Sequence, residues 1–393
     1  MVDNFINVVD ILKLYMYFDY FLGGEFMKVK GIENFLISIP LSKPKKISTR
    51  SIASREYLIT KITTDNGFVG WGFTFGTMTE YAGAEYVLKE LVIGQDVFCT
   101  EKIWDIMYKS TVRWGRRGAI LRAMSAIDIA LWDIKAQMTG VPLYKLLGGY
   151  KNKVKVYKSS GYYSDLKAEA DLDYIQQDCF EALKEGFTAY KLRVGLDPLH
   201  DIKRVETARK TLGYNIDIFV DANNAWDTWT SLKFGKLLEK YDIGWFEEPV
   251  SPDDIASLSR ISRELSIPIA VGELESTHWA FQSIIDSKAA KILQPDVTVI
   301  GGVTEFLKVA HQALAQGITV VPHAYSELHI HLACALPQID IIEYFEPNSD
   351  IVNINKILNN SSIAENGYLM CADEPGLGFK VDESKIDFYK ITQ

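Results

Sequence analysis

The chain has 393 residues, of which 48% are apolar or aromatic and 24% charged, enough to bury a large core and outside the composition of disordered proteins. Its formal charge of −9 repels nucleic-acid phosphates, and no cluster of Lys and Arg interleaved with aromatics offsets this locally, so no nucleic-acid partner is expected. The four cysteines, Cys99, Cys179, Cys334 and Cys371, stand too far apart for a CxxC metal motif or a dense disulfide framework. They read as small core side chains in a reducing compartment, with the cytoplasm the expected location.

Along the chain, the first stretch, residues 5–22, is apolar and aromatic, but Asp10, Lys13 and Asp19 interrupt it and no small-residue cleavage site follows. No membrane partner is expected from it. Met27 opens a segment that reads directly as a strand, so residues 1–26 are taken as an N-terminal extension or a misplaced start. From Lys28 to Gly76 the pattern runs strand, Pro/Ser-containing loop, strand, turn at Asp65-Asn66-Gly67, strand, which indicates antiparallel pairing. Apolar periods of three and four then predict helices over 79–91, 101–110 and 118–138. Residues 27–150 thus read as an α+β domain.

Beyond Leu147-Gly148-Gly149 come eight short apolar runs, at 154–159, 188–194, 216–222, 243–249, 267–273, 291–296, 318–324 and 341–346. Helical stretches separate them, the signature of parallel βα units. An open doubly wound sheet would alternate in the same way, but no GxGxxG turn follows an early strand and no P-loop is present, so residues 151–346 are read as a (β/α) barrel. Residues 347–393 lose the βα period and are expected to pack back on the first domain.

Carboxylates end three consecutive predicted strands: Asp221, Glu247 and Glu273, each 26 residues from the last. A regular βα unit brings such positions side by side on one rim, where three hard oxygen ligands, with water and substrate completing the shell, suit Mg2+. Glu248 is expected outside the ligand set or in contact with Lys191. Lys191 and Arg193, two apart on one strand, project together toward the barrel interior and can pair with the carboxylates. Asp296 follows strand six and His323 strand seven, so the carboxylate can hold one ring nitrogen and leave the other free to take a proton. Glu343 lies in strand eight. His278, His311, His329 and His331 have no comparable support, and without an HExxH pattern zinc is not suggested. Together these groups suit removal of a weakly acidic proton next to a carboxylate, with metal and cation stabilising the enediolate; base-plus-metal sites of this kind are a known pattern.

The segments TAYKLRVG (188–195), DANNAW (221–226), WFEEP (245–249), AVGE (270–273), QPDVTVIGG (294–302), VPHA (321–324) and IIEYF (341–345), with MSAIDIALWDIKA (124–136) and PLYKLLGG (142–149), resemble the mandelate racemase group of the enolase superfamily, and its sugar-acid dehydratases in particular. The resemblance begins near Met27 and covers essentially all the rest. It implies a modified TIM barrel, (β/α)7β, with an α+β capping domain, assembled into a homo-oligomer, with an octamer among the forms it admits. It also implies Mg2+, with Mn2+ as a substitute, on Asp221, Glu247 and Glu273; Lys191 on the substrate carboxylate; Asp296 and His323 as a general-base dyad; and Glu343 as an electrophilic hydrogen-bond partner. The cap and tail would close the barrel mouth and select the substrate, through the loop near 42–54 and the segment Arg113-Trp114-Gly115-Arg116-Arg117.

Where many relatives carry a second lysine, this chain has Arg193, a poor proton acceptor. Reactions needing bases on both faces of the substrate therefore lose support. The expected activity is dehydration of a C5 or C6 aldonic acid, with gluconate or galactonate first, to a 2-keto-3-deoxy acid. An epimerase or cycloisomerase on the same scaffold is the alternative. A noncatalytic metal-stabilised binding protein would keep the carboxylates but has no need of Asp296 with His323.

Overall fold

The structure is a computed structural model and describes residues 27–163, 168–360 and 363–391; the segment 1–26, read above as an extension, lies outside them. Strands β1 (Val29–Lys46), β2 (Ser51–Thr64) and β3 (Val69–Phe75) form an antiparallel sheet in that order. The Asn66-Gly67 reversal sits between β2 and β3, and Gly67, at φ +90, takes a conformation that disfavours a side chain. The first hairpin is longer than the sequence suggested. Its pairing shifts register between Pro40 and Lys45 and then resumes at Lys45↔Ile52, so the expected 42–54 loop is mostly strand, with only residues 47–50 forming the hairpin tip. Pro40 and Pro44 cannot donate to a ladder, which explains the interruption without ending the strand.

The helix Ala119–Met138 lies across β3 at close range. A Cβ on Gly70 would come within 2.2 Å of the Ala130 carbonyl oxygen, and one on Gly72 within 2.0 Å of that of Ala126. The two glycines thus let helix backbone approach strand backbone, and Leu58, Ile62, Met124, Ile127 and Ile134 fill the apolar space around them. The helix expected over 79–91 is a helical run with a π-turn at Ala84–Leu88.

The second domain is a modified TIM barrel. Its strands are β4 (Lys153–Ser159), β5 (Ala189–Arg193), β6 (Asp217–Asp221), β7 (Ile243–Glu247), β8 (Ile269–Val271), β9 (Ile292–Leu293), β10 (Thr319–Val320) and β11 (Ile341–Tyr344), separated by helices and paired in parallel. Their lateral order, β10-β9-β8-β7-β6-β5-β4-β11, sets the last strand beside the first. Between β10 and β11 no ladder forms among the described residues, so a seam runs there.

Past β11, strand β12 (Leu358–Asn359) pairs with β14 (Lys380–Val381), and β13 (Tyr368–Met370) adds antiparallel to β4. The tail then returns to the cap: Asn353 is buried between the Tyr57 hydroxyl and the Ile39 carbonyl, and Lys61 pairs with Glu383 at 2.8 Å. Cap and barrel also touch directly, through Trp104 Nε1 on the Gly301 carbonyl at 2.9 Å and Thr74 Oγ1 on the Thr298 carbonyl at 2.7 Å. Cys179, Cys334 and Cys371 are core side chains, but Cys99 is exposed, because it precedes a surface helix instead of lying within one. Among the described residues no helix is long and apolar enough to cross a membrane.

Candidate active site

One alternation rule builds the site. Tyr157, Ala189, Phe219, Trp245, Ala270, Ile292, Val321 and Ile341, one from each barrel strand or its edge, form an apolar floor inside the barrel. Side chains two residues further along a strand face the same way one layer up. Those positions are Ser159, Lys191, Asp221, Glu247, Gly272, Gln294, His323 and Glu343. A two-residue step therefore leads from packed hydrocarbon to titratable groups in five of the eight strands' sequences, with Ser159, Gly272 and Gln294 the exceptions. Gly272, at φ +131, breaks the alternation, and a Cβ there would meet Phe281 at 2.7 Å. This turn delivers the next residue, Glu273, to the rim.

Asp221, Glu247 and Glu273 converge so that one oxygen from each lies within 4.8 Å of the others, an arrangement that could hold a metal ion. Asp221 and Glu247 are fully buried, and burial raises the pKa of both. Trp245 Nε1 and Gln294 Nε2 both donate to Glu247 Oε2, at 2.9 and 2.8 Å, which fixes that carboxylate and leaves Oε1 to Lys191 at 2.7 Å. A hard divalent cation fits this donor set, since three carboxylates crowded in low dielectric repel one another unless positive charge lies among them.

Lys191 is itself completely buried, 2.7 Å from both Glu247 Oε1 and Glu343 Oε1. Burial works against its charge, but Glu247 and Glu343 outweigh it and hold the ammonium protonated. Arg193 pairs with Asp221 and donates to Ser159 Oγ and Tyr162 Oη at 3.1 and 3.2 Å. It remains cationic although burial opposes this, because Tyr162 and Asp221 favour the charge. Glu248 does not touch Lys191. Its φ of +41 turns it away from the interior, and Asn224 Nδ2 donates to it at 2.6 Å.

His323 faces this cluster with Nδ1 2.9 Å from Asp296 Oδ2 and Nε2 3.2 Å from Glu273 Oε2. Asp296 is buried, and its other oxygen accepts from the Thr298 amide and hydroxyl, both at 2.8 Å. Burial alone would raise the Asp296 pKa, but the hydrogen bond and charge of His323 lower it. For His323, burial pulls the pKa down, yet Glu273, Asp296 and Glu343 together push it up to about 9. A divalent cation on Glu273 would cancel the largest raising influence and leave the ring better able to accept a proton. Glu343 stands between the cations: Lys191 and, at 3.8 Å, Arg193 approach Oε1, and the Ala324 amide donates to Oε2 at 2.8 Å. Its pKa falls well below the carboxylate range because Lys191, His323 and Arg193 outweigh burial. Glu343 is thus matched electrostatically as a carboxylate, not as a protonated donor.

Of these groups Arg193, Glu273, Asp296 and His323 line a cavity of about 210 Å3, with Lys191, Asp221, Glu247 and Glu343 buried behind them, and a second cavity of about 400 Å3 adjoins it. At ~30 Å3 per water, the first holds about seven waters, the scale of a small polyhydroxylated acid. Arg50, Arg55 and Arg122 line both cavities. Arg50 lies in the 42–54 segment singled out from the sequence. Arg122, on the first turn of the helix Ala119–Met138, carried no local signal. Arg113, Arg116 and Arg117 line neither cavity: Arg113 and Arg116 are exposed, and Arg117 pairs with Asp253 at 2.8 Å. That segment precedes the helix, and its charges face solvent or, for Arg117, the barrel residues Asp253 and Glu275. His278 is likewise outside, held by Glu305 at 2.8 Å.

A family signature described as "Mandelate racemase / muconate lactonizing enzyme, N-terminal domain" matches residues 32–148, and one described as "Enolase C-terminal domain-like" matches residues 175–385. The arabinonate dehydratase of Saccharolobus solfataricus is 36% identical over 345 residues, covering 85% of this chain and 91% of its own length. The L-talarate/galactarate dehydratase of Salmonella typhimurium is 31% identical over 363 residues, covering 91% of this chain and 88% of its own. A solved racemase from Streptomyces coelicolor A3(2) with bound magnesium superposes with a TM-score of 0.86 at 30% identity, over 92% of this chain and all of that one.

Proposed function

Because the chain belongs to the mandelate racemase/muconate lactonizing enzyme family of the enolase superfamily, we propose that it is a Mg2+-dependent hydro-lyase. Its reaction is dehydration of a C5 or C6 aldonic acid to the 2-keto-3-deoxy acid. The observation that carries this reading is the single dyad, His323 with Asp296, set beside a cluster of three carboxylates and a lysine at the wall of one small cavity, with an arginine where a second base would stand.

Asp221, Glu247 and Glu273 would hold Mg2+, which supplies Lewis-acid stabilisation of negative charge on the substrate carboxylate. Lys191 adds a fixed positive charge next to that carboxylate, and Arg193 holds Asp221 in place. Asp296 keeps the Nδ1 proton of His323, so Nε2 accepts the C2 proton. The electron pair of the broken C2–H bond moves into the carboxylate as an enediolate. When it returns to form the C2–C3 double bond, the C3–O bond breaks and His323 gives its proton to the departing hydroxide as water. The resulting enol tautomerises to the 2-keto acid. One base suffices for this sequence, whereas epimerisation needs proton delivery from the opposite face, where Arg193 is held protonated.

Gluconate or galactonate stand first as substrates. A specific observation favours a second reading of the substrate, an aldarate: Arg50 and Arg122 have no carboxylate partner among the described residues, and a distal carboxylate would give them one. The test is to incubate the Mg2+-loaded protein separately with C4 to C6 aldonic and aldaric acids and assay for 2-keto-3-deoxy products. Turnover of a C5 or C6 aldonate is expected. Exclusive turnover of galactarate would shift the substrate class, and a C2 epimer formed without keto acid would overturn dehydration.

A further inference from the structure

The ladder that carries the dyad ends early. Strands β9 and β10 pair through only two residues each, Ile292↔Thr319 and Leu293↔Val320, so the last pair lies three residues before Asp296 and His323. Beyond it the two loops are joined by the Val321 amide on the Leu293 carbonyl at 2.9 Å and by a long His323 amide to Pro295 carbonyl contact at 3.3 Å. On its other side β10 faces the seam, where no ladder to β11 forms among the described residues. The loop is also strained, since Ala324 and Tyr325 stand at φ +54 and +30, a region that costs energy for any residue with a Cβ. Something outside the ladder must hold these loops.

His329, from the helix Ser326–Ala335, is completely buried beneath them. The Val297 amide lies 3.0 Å from its Nε2, and its Nδ1 lies 2.8 Å from the Ala324 carbonyl oxygen. A peptide N–H can only donate and a carbonyl can only accept, so Nε2 carries the lone pair and Nδ1 the proton. The ring is therefore neutral with its tautomer fixed. Val297 follows Asp296 in sequence, and Ala324 follows His323. One rigid imidazole thus bridges a backbone group of the residue that follows each member of the dyad.

We propose that His329 is a positioning residue that sets the spacing of Asp296 and His323 by clamping the Val297 and Ala324 peptide groups. The proposal rests on the dyad reading above. A histidine that merely fills the core would affect stability when replaced; a clamp affects turnover with little change in binding. Misplacement of a catalytic group by about 1 Å can cost on the order of 100-fold in rate.

The test uses the Mg2+-loaded full-length protein in two arms. First, 15N-histidine NMR of the parent should find His329 neutral, with protonated Nδ1 and bare Nε2, between pH 6 and 9. A cationic ring or the opposite tautomer would overturn the clamp, and this arm needs no substrate, so it stands even if no sugar acid in the panel is turned over. Second, with whichever aldonate or aldarate the parent dehydrates, H329L should lose about 100-fold in kcat, with KM and Mg2+ affinity within threefold of the parent. H329Q, whose amide presents a donor and an acceptor at similar spacing, should recover most of the loss. H329N, too short to reach both groups, should remain slow while folded, which keeps the test decisive if H329L does not fold. Parent-like kcat in H329L or H329N, or a loss in KM and Mg2+ affinity as large as that in kcat, would refute it.

Discussion

On the barrel side of the cavity the charged groups stand on strands or just past them, and each has a partner of opposite charge: Lys191 with Glu247 and Glu343, Arg193 with Asp221, His323 with Asp296. On the cap side of the smaller cavity the charges come from a hairpin tip, a strand and a helix, and they are the positive Arg50, Arg55 and Arg122. Arg55 donates to the Ile351 carbonyl at 2.7 Å and lies over the Phe75 ring, whereas Arg50 and Arg122 have no ion pair among the described residues. Burial lowers the pKa of Arg50, and Arg55 adds to this. Each cation of the barrel rim is thus paired before substrate arrives, while Arg50 and Arg122 on the cap wall are left to be paired by what binds. Under the function proposed above, the first set carries the chemistry that the candidate substrates share and the second chooses among them.

The largest effect should follow from replacing the base. H323N should lower kcat by ~100-fold or more, the usual contribution of a general base, and abolish exchange of the C2 proton with solvent deuterium. Continued rapid exchange would mean that the proton leaves to another group, and the rim would no longer be the single-base half of the comparison.

A second change tests whether the two sides stay in register through the tail. His331 is buried against the tail, with Nε2 3.0 Å from the Leu377 carbonyl and Cys371 Sγ 3.4 Å from Nδ1. Burial lowers its pKa to about 4. The native state therefore binds fewer protons than the unfolded chain between about pH 6.5 and 4. The resulting stability is present above pH 6.5 and is lost as pH falls to 4, amounting to roughly 3 kcal/mol. Denaturant titrations of parent and H331N across this range should converge at low pH by about that amount. Taking the difference cancels Asp128, which burial pushes up to about 7 and which acts in the opposite direction. Parallel curves would place the acid sensitivity elsewhere.

A smaller effect is expected at the metal ligands. In E247Q the amide keeps the size but loses the charge, and calorimetry should read Mg2+ binding weakened by at least ~10-fold. Unchanged affinity would mean that the three carboxylates do not form the ion's shell.

The smallest change should sharpen the contrast most. R50M or R122M should raise KM by about tenfold or less, near 1 kcal/mol per lost hydrogen bond, with kcat nearly kept. If the substrate is an aldarate the rise should exceed that for an aldonate of equal length. An arginine variant that lost kcat and kept KM would move that residue from the wall to the chemistry.

Much of the barrel was legible because its strands are short, apolar and regularly spaced. Asp221 and Glu247 each end a strand, Glu273, Asp296 and His323 follow one closely, and a period of two is enough to aim the first pair inward. The cap was less legible. The segment 113–117, with three arginines in five residues, drew attention by composition but lines neither cavity, while Arg122, a single helical residue, lines both. His329 was passed over for a related reason: its importance lies in two backbone groups that sequence does not record. The sequence alone determined which residues alternate into the barrel and what charge each brings, because strand periodicity and side-chain chemistry are local properties. The tertiary structure decided which arginines meet the cavity, that Glu248 turns away through a left-handed backbone angle, and that one neutral imidazole spans two loops. These depend on how separate elements pack, and packing is set by distances between residues far apart in the chain.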